Sequence, residues 1–271
     1  MKPMPDWKAP NGERVSMNEV DLKDVCDFAN EEIVLFHEAR LKSLGKLKLL
    51  DLLKRKNPYL FRARNLATAS DLIEALMGAF LSSSEEKLFG DFLEELAVFV
   101  SSRTCGGQKS SAKGLDLEFT RGGTRYLVSI KSGPNWGNSS QYSALKADFV
   151  HAVKVLKLAH TDLSLQPVLG ICYGRSKWTD TGQYLKLVGQ TFWWFLSGDP
   201  DLYTDIIEPV GYRAKHHNDR YFEQRCALVN QFAADLYQDF CHKDGRIDWD
   251  ALVAYNSGNL PPKGRPNVGL E

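Results

Sequence analysis

The segment from Gly114 to Gln141, GLDLEFTRGGTRYLVSIKSGPNWGNSSQ, constrains the fold more than any other part of the sequence. The runs LDLEFT and RYLVSIK each alternate apolar and polar residues, as a β-strand does. The pair Gly122-Gly123 lies between the two runs and suits a tight turn of the primed type. The segment therefore predicts a β-hairpin, followed by a loop rich in Gly, Pro and Asn and then by the start of a helix.

The turn also predicts how the two strands pair. Counting outward from the two glycines places Asp116 opposite Ser129 and Gly114 opposite Lys131. Because side chains alternate between the faces of a sheet, one face collects the apolar residues Leu115, Leu117, Phe119, Tyr126, Val128 and Ile130. The other face collects the polar residues Asp116, Glu118, Ser129 and Lys131. This polar face is a candidate site, although the solvent-facing side of an ordinary sheet has a similar composition.

Composition and charge narrow the class of protein. The 271 residues are 43% apolar and 25% charged, as in a soluble globular protein. No apolar run reaches the length of a membrane span, the N-terminus lacks the apolar core of a signal peptide, and the five cysteines show no paired spacing. We therefore expect a cytoplasmic protein with buried free thiols and no membrane partner.

The charges are unevenly distributed along the chain. A net charge of zero argues against an indiscriminate polyanion binder. Residues 40–64 nevertheless carry nine Lys or Arg against the single acid Asp51. This basic block is the best candidate for contact with backbone phosphates.

Apolar periodicity and capping signals predict the order of the elements. Helices come first, then the hairpin, a further helix, a buried strand at 167–174 and more helices. A Ser83-x-x-Glu86 capping box is expected to begin one helix, and Asn138 with Gln141 is expected to cap the helix after the hairpin. This order predicts an α/β or α+β fold with a mixed central sheet flanked by helices and with extra helical segments at both ends.

The distribution of these elements along the chain also predicts its domain organisation. Residues 1–17 look like a flexible arm, residues 18–256 like a single domain and residues 257–271 like a flexible tail. The sequence shows no internal repeat and no low-complexity linker.

The polar face of the hairpin carries groups that suit phosphodiester hydrolysis. Two carboxylates can hold Mg²⁺, which neutralises charge on the phosphoryl oxygens, and a nearby lysine can help to activate water. Asp116 on one strand and Lys131 on its partner supply a carboxylate and an ammonium on one face.

The arrangement resembles a known nuclease superfamily. A glutamate on an upstream helix, an aspartate in a first strand and x-x-Lys at the end of a second strand are similar to the PD-(D/E)xK pattern. SIKSGPNWGNSSQ, KNPYLFRARN (56–65), LSSSEEKLFGDFLEELA (81–97) and GQTFWWFLSG (189–198) resemble one family of type II restriction endonucleases. The similarity covers most of residues 56–211. It implies a restriction-endonuclease-like core at about 81–175 and a Mg²⁺-dependent endonuclease that hydrolyses double-stranded DNA at a short specific sequence.

Two positions depart from the superfamily pattern. Leu115 stands where proline is usual, and Ser129-Ile130-Lys131 lacks the acid of the (D/E)xK motif. The resemblance implies that the missing carboxylate comes from elsewhere. We rank Glu94 on the preceding helix first, Glu118 on the strand second and Asp148 on the following helix third.

The resemblance also implies a role for each candidate residue. Asp116 would bind Mg²⁺ directly, with Glu94, Glu118 or Asp148 as the second carboxylate. Lys131 would orient the attacking water and help to deprotonate it, and Ser129 would hydrogen-bond behind these groups. The loop and the helix start after the hairpin would contact DNA through Ser132, Asn135, Trp136, Asn138 and Gln141. Trp136 could equally belong to the core, and Gln141 is a helix cap first.

The resemblance extends to partners. A palindromic recognition sequence implies a homodimer and a companion DNA methyltransferase encoded nearby. Two alternatives stay open at this point: a structure-specific repair or recombination nuclease, and a non-catalytic DNA-binding module.

Overall fold

The computed structural model describes residues 18, 20–159, 162–175, 178–258 and 261–262. The predicted arm at 1–17 and most of the predicted tail lie outside these residues. The described chain divides into two compact units, one containing the residues up to Val34 and Phe89–Tyr212, the other Leu35–Leu88 and the residues from Arg213 onward. The single domain over 18–256 stays a prediction.

The first unit is built on a six-stranded sheet. Its strands are β1 (Gln108–Lys109), β2 (Leu117–Arg121), β3 (Thr124–Lys131), β4 (Ser164–Ile171), β5 (Thr179–Asp180) and β6 (Leu185–Val188). The strand order is β1-β2-β3-β4-β6-β5, with β3, β4 and β6 parallel to one another and the outer pairs antiparallel. The predicted mixed sheet flanked by helices is confirmed.

Ten helices lie within the described residues. They are α1 (Leu22–Gly45), α2 (Leu49–Arg55), α3 (Pro58–Ala63), α4 (Ala69–Cys105), α5 (Ser139–Ala159), α6 (Gln190–Ser197), α7 (Leu202–Asp205), α8 (Ile207–Val210), α9 (Ala214–Phe240) and α10 (Trp249–Ser257). Helices α1 and α4 contribute residues to both units. No helix in the described part of the chain is both long enough and apolar enough to cross a membrane.

The predicted start of a helix at Ser83 is wrong. Helix α4 runs without interruption through this position, and the Ser83 hydroxyl donates to the carbonyl of Ala79 inside the helix (3.2 Å). A serine can satisfy its hydroxyl in this way in the middle of a helix, so the capping-box spacing alone does not mark a helix boundary.

Helix α5 connects the parallel strands β3 and β4 and packs on one face of the sheet. Its Leu145, Phe149 and Ala152 meet buried residues of the strands and loops in one cluster, namely Leu115, Leu127, Leu169, Ile171, Tyr184 and Val188. Burying a Leu, Ile or Phe side chain contributes roughly 1.5–3 kcal/mol. Strand β3 lies inside the sheet, between β2 and β4. Ser129, on the polar face of β3, is fully buried. This burial argues against reading the polar face as the wet side of a sheet.

The second unit has an all-helical core. Residues from α1, α2, α3, α4, α9 and α10 form one buried cluster that includes Leu44, Leu52, Ile73, Leu236 and Leu252. Asn57 caps α3 by accepting the backbone N–H of Tyr59 (3.0 Å), and Pro58 follows at the first helical position.

All five cysteines are thiols that form no disulfide, as expected, but only Cys172 is buried.

Candidate active site at the β2–β3 hairpin

The predicted hairpin turn is present. Gly122 and Gly123 both have positive φ (58° and 75°), which a primed two-residue turn requires. Arg121 pairs with Thr124, and the predicted register holds along β2 as far as Leu117, which pairs with Val128.

The register changes by one residue at Asp116. Its backbone N–H donates to the carbonyl of Val128 (2.9 Å), although Val128 already pairs with Leu117. Two residues of one strand thus oppose one residue of the other, which is the arrangement of a β-bulge. The predicted backbone pairings of Asp116 with Ser129 and of Gly114 with Lys131 are therefore wrong.

The bulge also corrects the predicted position of Leu115. A slip of one residue moves the following side chains to the other face of a sheet. Leu115 accordingly packs beside Leu127 under α5, rather than on the face of Leu117.

The bulge sets the Asp116 carboxylate against the end of β3. Its Oδ2 accepts the backbone N–H of Ile130 (2.5 Å) and the hydroxyl of Ser129 (3.3 Å). The ammonium of Lys131 lies 3.6 Å from the same oxygen. The predicted grouping of Asp116, Ser129 and Lys131 is therefore present, although it arises from a bulge and not from regular pairing.

Lys131 ends β3 at the edge of the site. Its ammonium donates to the carbonyl of Ile130 (2.8 Å) and lies 5.7 Å from the centre of the Trp136 ring. The side chain is 30% exposed and that of Asp116 is 20% exposed, so both are held by the protein and still reachable from solvent.

Glu94 approaches this pair from α4. One turn earlier on the helix, a Cβ added at Gly90 would lie 3.5 Å from the Cβ of Ser132, so this side of α4 borders the residue that follows Lys131. Within the described residues, the Glu94 carboxyl makes no hydrogen bond or ion pair. Burial raises its pKa above the ordinary 4.5, and the negative charge of Asp116 raises it further. Lys109 and Lys131 act in the opposite direction.

Glu118 is occupied by other partners. Its carboxylate accepts Nε of Arg125 (3.0 Å) as well as a second guanidinium nitrogen, and it also accepts the Ser110 hydroxyl. The Glu118 side chain is only 9% exposed. Its surroundings are those of a partly buried ion pair.

Asp148 borders the chain that leads into the site. Its carboxyl group fills the space beside Gly114, where an added Cβ would collide with it. Gly114 has φ +75°, a conformation that suits glycine. Asp148 therefore packs on the backbone two residues before Asp116.

Two residues that the sequence analysis left out also belong to this cluster. Lys109 in β1 pairs across the sheet with Leu117, next to Asp116, and its ammonium forms an ion pair with Glu95. Glu95 chiefly raises the pKa of Lys109, and the more distant charges of Glu94 and Asp116 raise it further. Lys109 belongs to a two-residue strand beside a Gly/Ser-rich loop, so no alternation could have predicted its position.

The loop after Lys131 and the first turn of α5 contain the five residues predicted to contact DNA. Asn138 and Gln141 form the predicted capping box of α5, with the Asn138 N–H donating to Gln141 Oε1 (2.9 Å) and the Gln141 N–H donating to Asn138 Oδ1 (3.1 Å). Trp136 packs against Tyr142 at 4.6 Å between ring centres and is only partly exposed. Asn135 is exposed and Ser132 is half-buried.

Comparison with known families decides what kind of protein carries this site. A family model described as type II restriction endonuclease EcoO109I matches residues 23–218, which is well over half of the chain. The chain belongs to the EcoO109I family of type II restriction endonucleases. A search of curated proteins finds no match.

Membership of the EcoO109I family confirms the resemblance inferred from the sequence. The chain is accordingly a nuclease, a hydrolase that binds DNA. The matched region contains the whole sheet together with Glu94, Asp116 and Lys131. The site therefore lies inside the part of the chain that defines the family.

The family generally uses divalent metal ions. Within the described residues no group of three or more His, Cys, Asp and Glu is arranged as a metal site. The chemistry of the donors nevertheless suits a hard cation, because Asp116 and Glu94 both offer carboxylate oxygens. A cation such as Mg²⁺ is commonly held by one or two carboxylates together with waters and substrate phosphates.

Proposed function

We propose that this EcoO109I-family nuclease is a Mg²⁺-dependent endonuclease that cuts double-stranded DNA at a short specific sequence and leaves 5′-phosphate and 3′-hydroxyl ends. The observation that carries the proposal is the convergence of Asp116, Lys131 and Glu94 at one end of β3. Two neighbouring carboxylates repel each other and can bind a cation between them, and an ammonium beside them can bind a phosphate.

Asp116 and Glu94 would hold the ion. Mg²⁺ bound there would stabilise charge on the phosphoryl oxygens and make water more acidic. The backbone N–H of Ile130 and the hydroxyl of Ser129 hold the Asp116 carboxylate in place. Lys131 would orient the attacking water, help to deprotonate it and stabilise the negative charge on the phosphoryl oxygens in the transition state.

Glu94 is our choice for the second carboxylate. Its carboxyl is free of hydrogen bonds among the described residues and interacts electrostatically with Asp116, Lys131 and Lys109. Glu118 is already bound by Arg125 and Ser110, so its participation would break a partly buried ion pair. Asp148 packs against Gly114 and follows as the third choice.

The DNA backbone would approach the loop from Ser132 to the start of α5. Ser132 and Asn135 are the residues of this loop best placed to donate to phosphate oxygens, because Asn138 and Gln141 already bond to each other. Trp136 supports the loop by packing on Tyr142.

The proposed assembly is a cytoplasmic homodimer that reads a palindromic site, with a companion DNA methyltransferase that protects the host sequence. A two-fold axis in the protein would match the symmetry of such a site. Each protomer would then cut one strand.

Digestion of a sequenced plasmid in the presence of Mg²⁺, followed by mapping of the ends, tests the proposal. We expect discrete fragments whose ends share one short sequence, and no cleavage in EDTA. Lys131→Ala should lower the cleavage rate by about 10²-fold or more, since it removes charge stabilisation at the reacting phosphate. Lys113→Ala is the matched control, because Lys113 is exposed in the neighbouring loop.

The outcomes separate the alternatives. Cleavage only at branched or flapped DNA would identify a structure-specific nuclease instead. Binding without any metal-dependent cleavage would identify a non-catalytic DNA-binding module. A Lys131→Ala protein that cuts at the wild-type rate would contradict the assigned site.

A further inference from the structure

The second unit carries a cluster of exposed basic side chains, here called the basic surface. It comprises Lys42, Lys46, Lys48, Lys54, Arg55, Arg62 and Arg64. Two other cations of the same stretch are engaged elsewhere: Arg40 pairs with Glu85 (2.7 Å), and half-buried Lys56 donates to the carbonyl of Ala79 (2.9 Å).

The fold keeps these cations at the surface. Apolar residues interleaved with them are buried in the helical core, namely Leu44, Leu49, Leu52, Leu53 and Phe61. Because each of these side chains points into the core, the polar positions between them face solvent. The basic surface is therefore a consequence of how α1, α2 and α3 pack.

The charges of the basic surface are not neutralised within the protein. None of its seven cations forms an ion pair with a carboxylate of the described residues. Lys54 and Arg62 lie over the rings of Tyr255 and Trp249 at 5.8 Å, contacts that leave their charge in place. A merely solvated face usually mixes the two signs of charge.

The net charge of the whole chain shows how unevenly the positive charge is distributed. The chain has 34 basic and 34 acidic residues, while residues 40–64 carry nine basic residues and one acid. The excess of positive charge in this segment is therefore matched by an equal negative excess in the rest of the chain. Concentrated charge of one sign on a neutral protein favours a partner of opposite charge over general solubility.

Three cations of the basic surface converge on one recess. Lys46, Lys48 and Arg55 line a recess of about 200 Å³, together with Ser43 and Asp51. The three cations outnumber the single acid, and the volume accommodates a phosphate group. Arginine and lysine that line one recess can share one phosphate or bind two successive ones.

We propose that the basic surface binds the phosphate backbone of the DNA that the enzyme cuts, with Lys46, Lys48 and Arg55 contacting phosphate in the recess. The choice of DNA as the polyanion rests on the proposed function. The contact is independent of base sequence, so it raises affinity for any duplex and steers its approach. Specificity would come from other residues.

Salt dependence of DNA binding tests the inference. Fluorescence anisotropy of a labelled duplex in EDTA measures binding without cleavage, over roughly 50–200 mM NaCl. Each phosphate contact contributes about 0.9 to the slope of log affinity against log salt. We expect the triple variant Lys46→Ala, Lys48→Ala, Arg55→Ala to lose about 2–3 of that slope and at least ~10-fold in affinity.

A second triple variant provides the control. Lys87→Ala, Lys243→Ala, Arg246→Ala removes the same charge from exposed positions of the same unit outside the basic surface. It should keep the wild-type slope, and circular dichroism should show both triple variants folded. An unchanged slope in the first variant, or an equal loss in the second, would overturn the inference.

Failure here is distinguishable from failure of the proposed function. A wild type that cuts plasmid while the first triple variant keeps its full salt slope refutes only the basic surface. A wild type that binds the duplex through the basic surface and cuts nothing refutes only the nuclease site. Loss of binding to phosphatidylserine vesicles with full retention of the DNA slope would assign the surface to a membrane partner and overturn the inference.

Discussion

At the scale of single residues, the protein separates two glutamates that look alike in the sequence. Glu94 has a raised pKa and no ion-pair partner among the described residues, whereas Glu118 is held by Arg125 and Ser110. The Glu94 carboxyl is half-buried without a partner in the described part of the chain, whereas the Glu118 carboxylate is held in an ion pair. Substituting each glutamate should therefore have opposite effects on stability and on cleavage.

We expect Glu94→Gln to abolish cleavage and to stabilise the metal-free protein near pH 8. Because the pKa of Glu94 is raised above 4.5 in the folded state, the folded protein binds this proton more tightly than the unfolded chain does. The ionised carboxylate therefore reduces the free energy of unfolding, and this penalty sets in as the pH rises above 4.5. Urea unfolding in EDTA should show a gain for Glu94→Gln at pH 8 that disappears near pH 4.

Glu118→Gln is the matched comparison. It should cost about 1–3 kcal/mol of stability at neutral pH, because it leaves Arg125 without its anionic partner. Its cleavage activity should persist at a temperature where the variant is folded. If Glu118→Gln stopped cleavage and Glu94→Gln did not, the second carboxylate would have been assigned to the wrong glutamate.

At the scale of elements, the entry to β2 determines where the Asp116 carboxylate points. Gly114 and Gly123 have the same φ of +75°, but only Gly114 is crowded, by the side chain of Asp148. Around Gly123 an added Cβ would meet nothing within 4 Å. An alanine at Gly123 would therefore strain only the backbone, whereas an alanine at Gly114 would also collide with Asp148.

We expect Gly114→Ala to destabilise the protein by about 2–4 kcal/mol and Gly123→Ala by about 1 kcal/mol. Both substitutions strain the backbone, and only the first also displaces Asp148. Gly114→Ala should in addition slow cleavage, because Asp116 lies two residues further on. Thermal unfolding and plasmid cleavage measure the two effects, and equal losses in both variants would argue against close packing at Gly114.

The bulge at Asp116 is the element that sequence reasoning could not supply. Alternation predicts that Leu115 and Leu117 share a face, and a single extra residue in the pairing separates them. The energy that favours the bulge comes from tertiary contacts, namely Leu115 packing under α5 and the Asp116 carboxylate accepting the Ile130 N–H. Neither contact has a signature in local sequence.

At the scale of the whole molecule, the free energy of unfolding should depend on pH through the buried His37. His37 stacks on His217 at 4.5 Å between ring centres and lies against Arg40, with Nδ1 3.2 Å from the guanidinium. Burial, followed by the positive charges of His217 and Arg40, lowers the pKa of His37 from 6.5 to about 4. The neutral imidazole is therefore the form that the fold accommodates.

Stability should fall as the pH is lowered from 6.5 to about 4. In this window the unfolded chain takes up a proton at His37 that the folded protein does not bind, so acid favours unfolding. The loss attributable to His37 is at most about 3 kcal/mol. Urea unfolding at several pH values should show a flatter decline for His37→Phe, while the exposed His151→Phe should follow the wild type.

Much of the architecture could be predicted from local sequence. The two-glycine turn, the pairing along Leu117–Arg121, the capping box of α5 and the mixed sheet flanked by helices follow from alternation, turn chemistry and capping. These signals are local, because each depends on residues a few positions apart. The match of residues 23–218 to the EcoO109I family rests on the sequence in the same way.

Tertiary structure decided which of the candidate side chains lie together. From the sequence, Glu94, Glu118 and Asp148 were three candidate partners for Asp116 and Lys131, because residue type and spacing do not report which carboxylates are already paired. In the folded chain Glu118 forms an ion pair with Arg125, and Asp148 packs against Gly114. Glu94 interacts electrostatically with Asp116. Sequence determined which chemical groups are present, and long-range packing determined which of them meet, because contacts between distant residues form only when the sheet and its helices assemble.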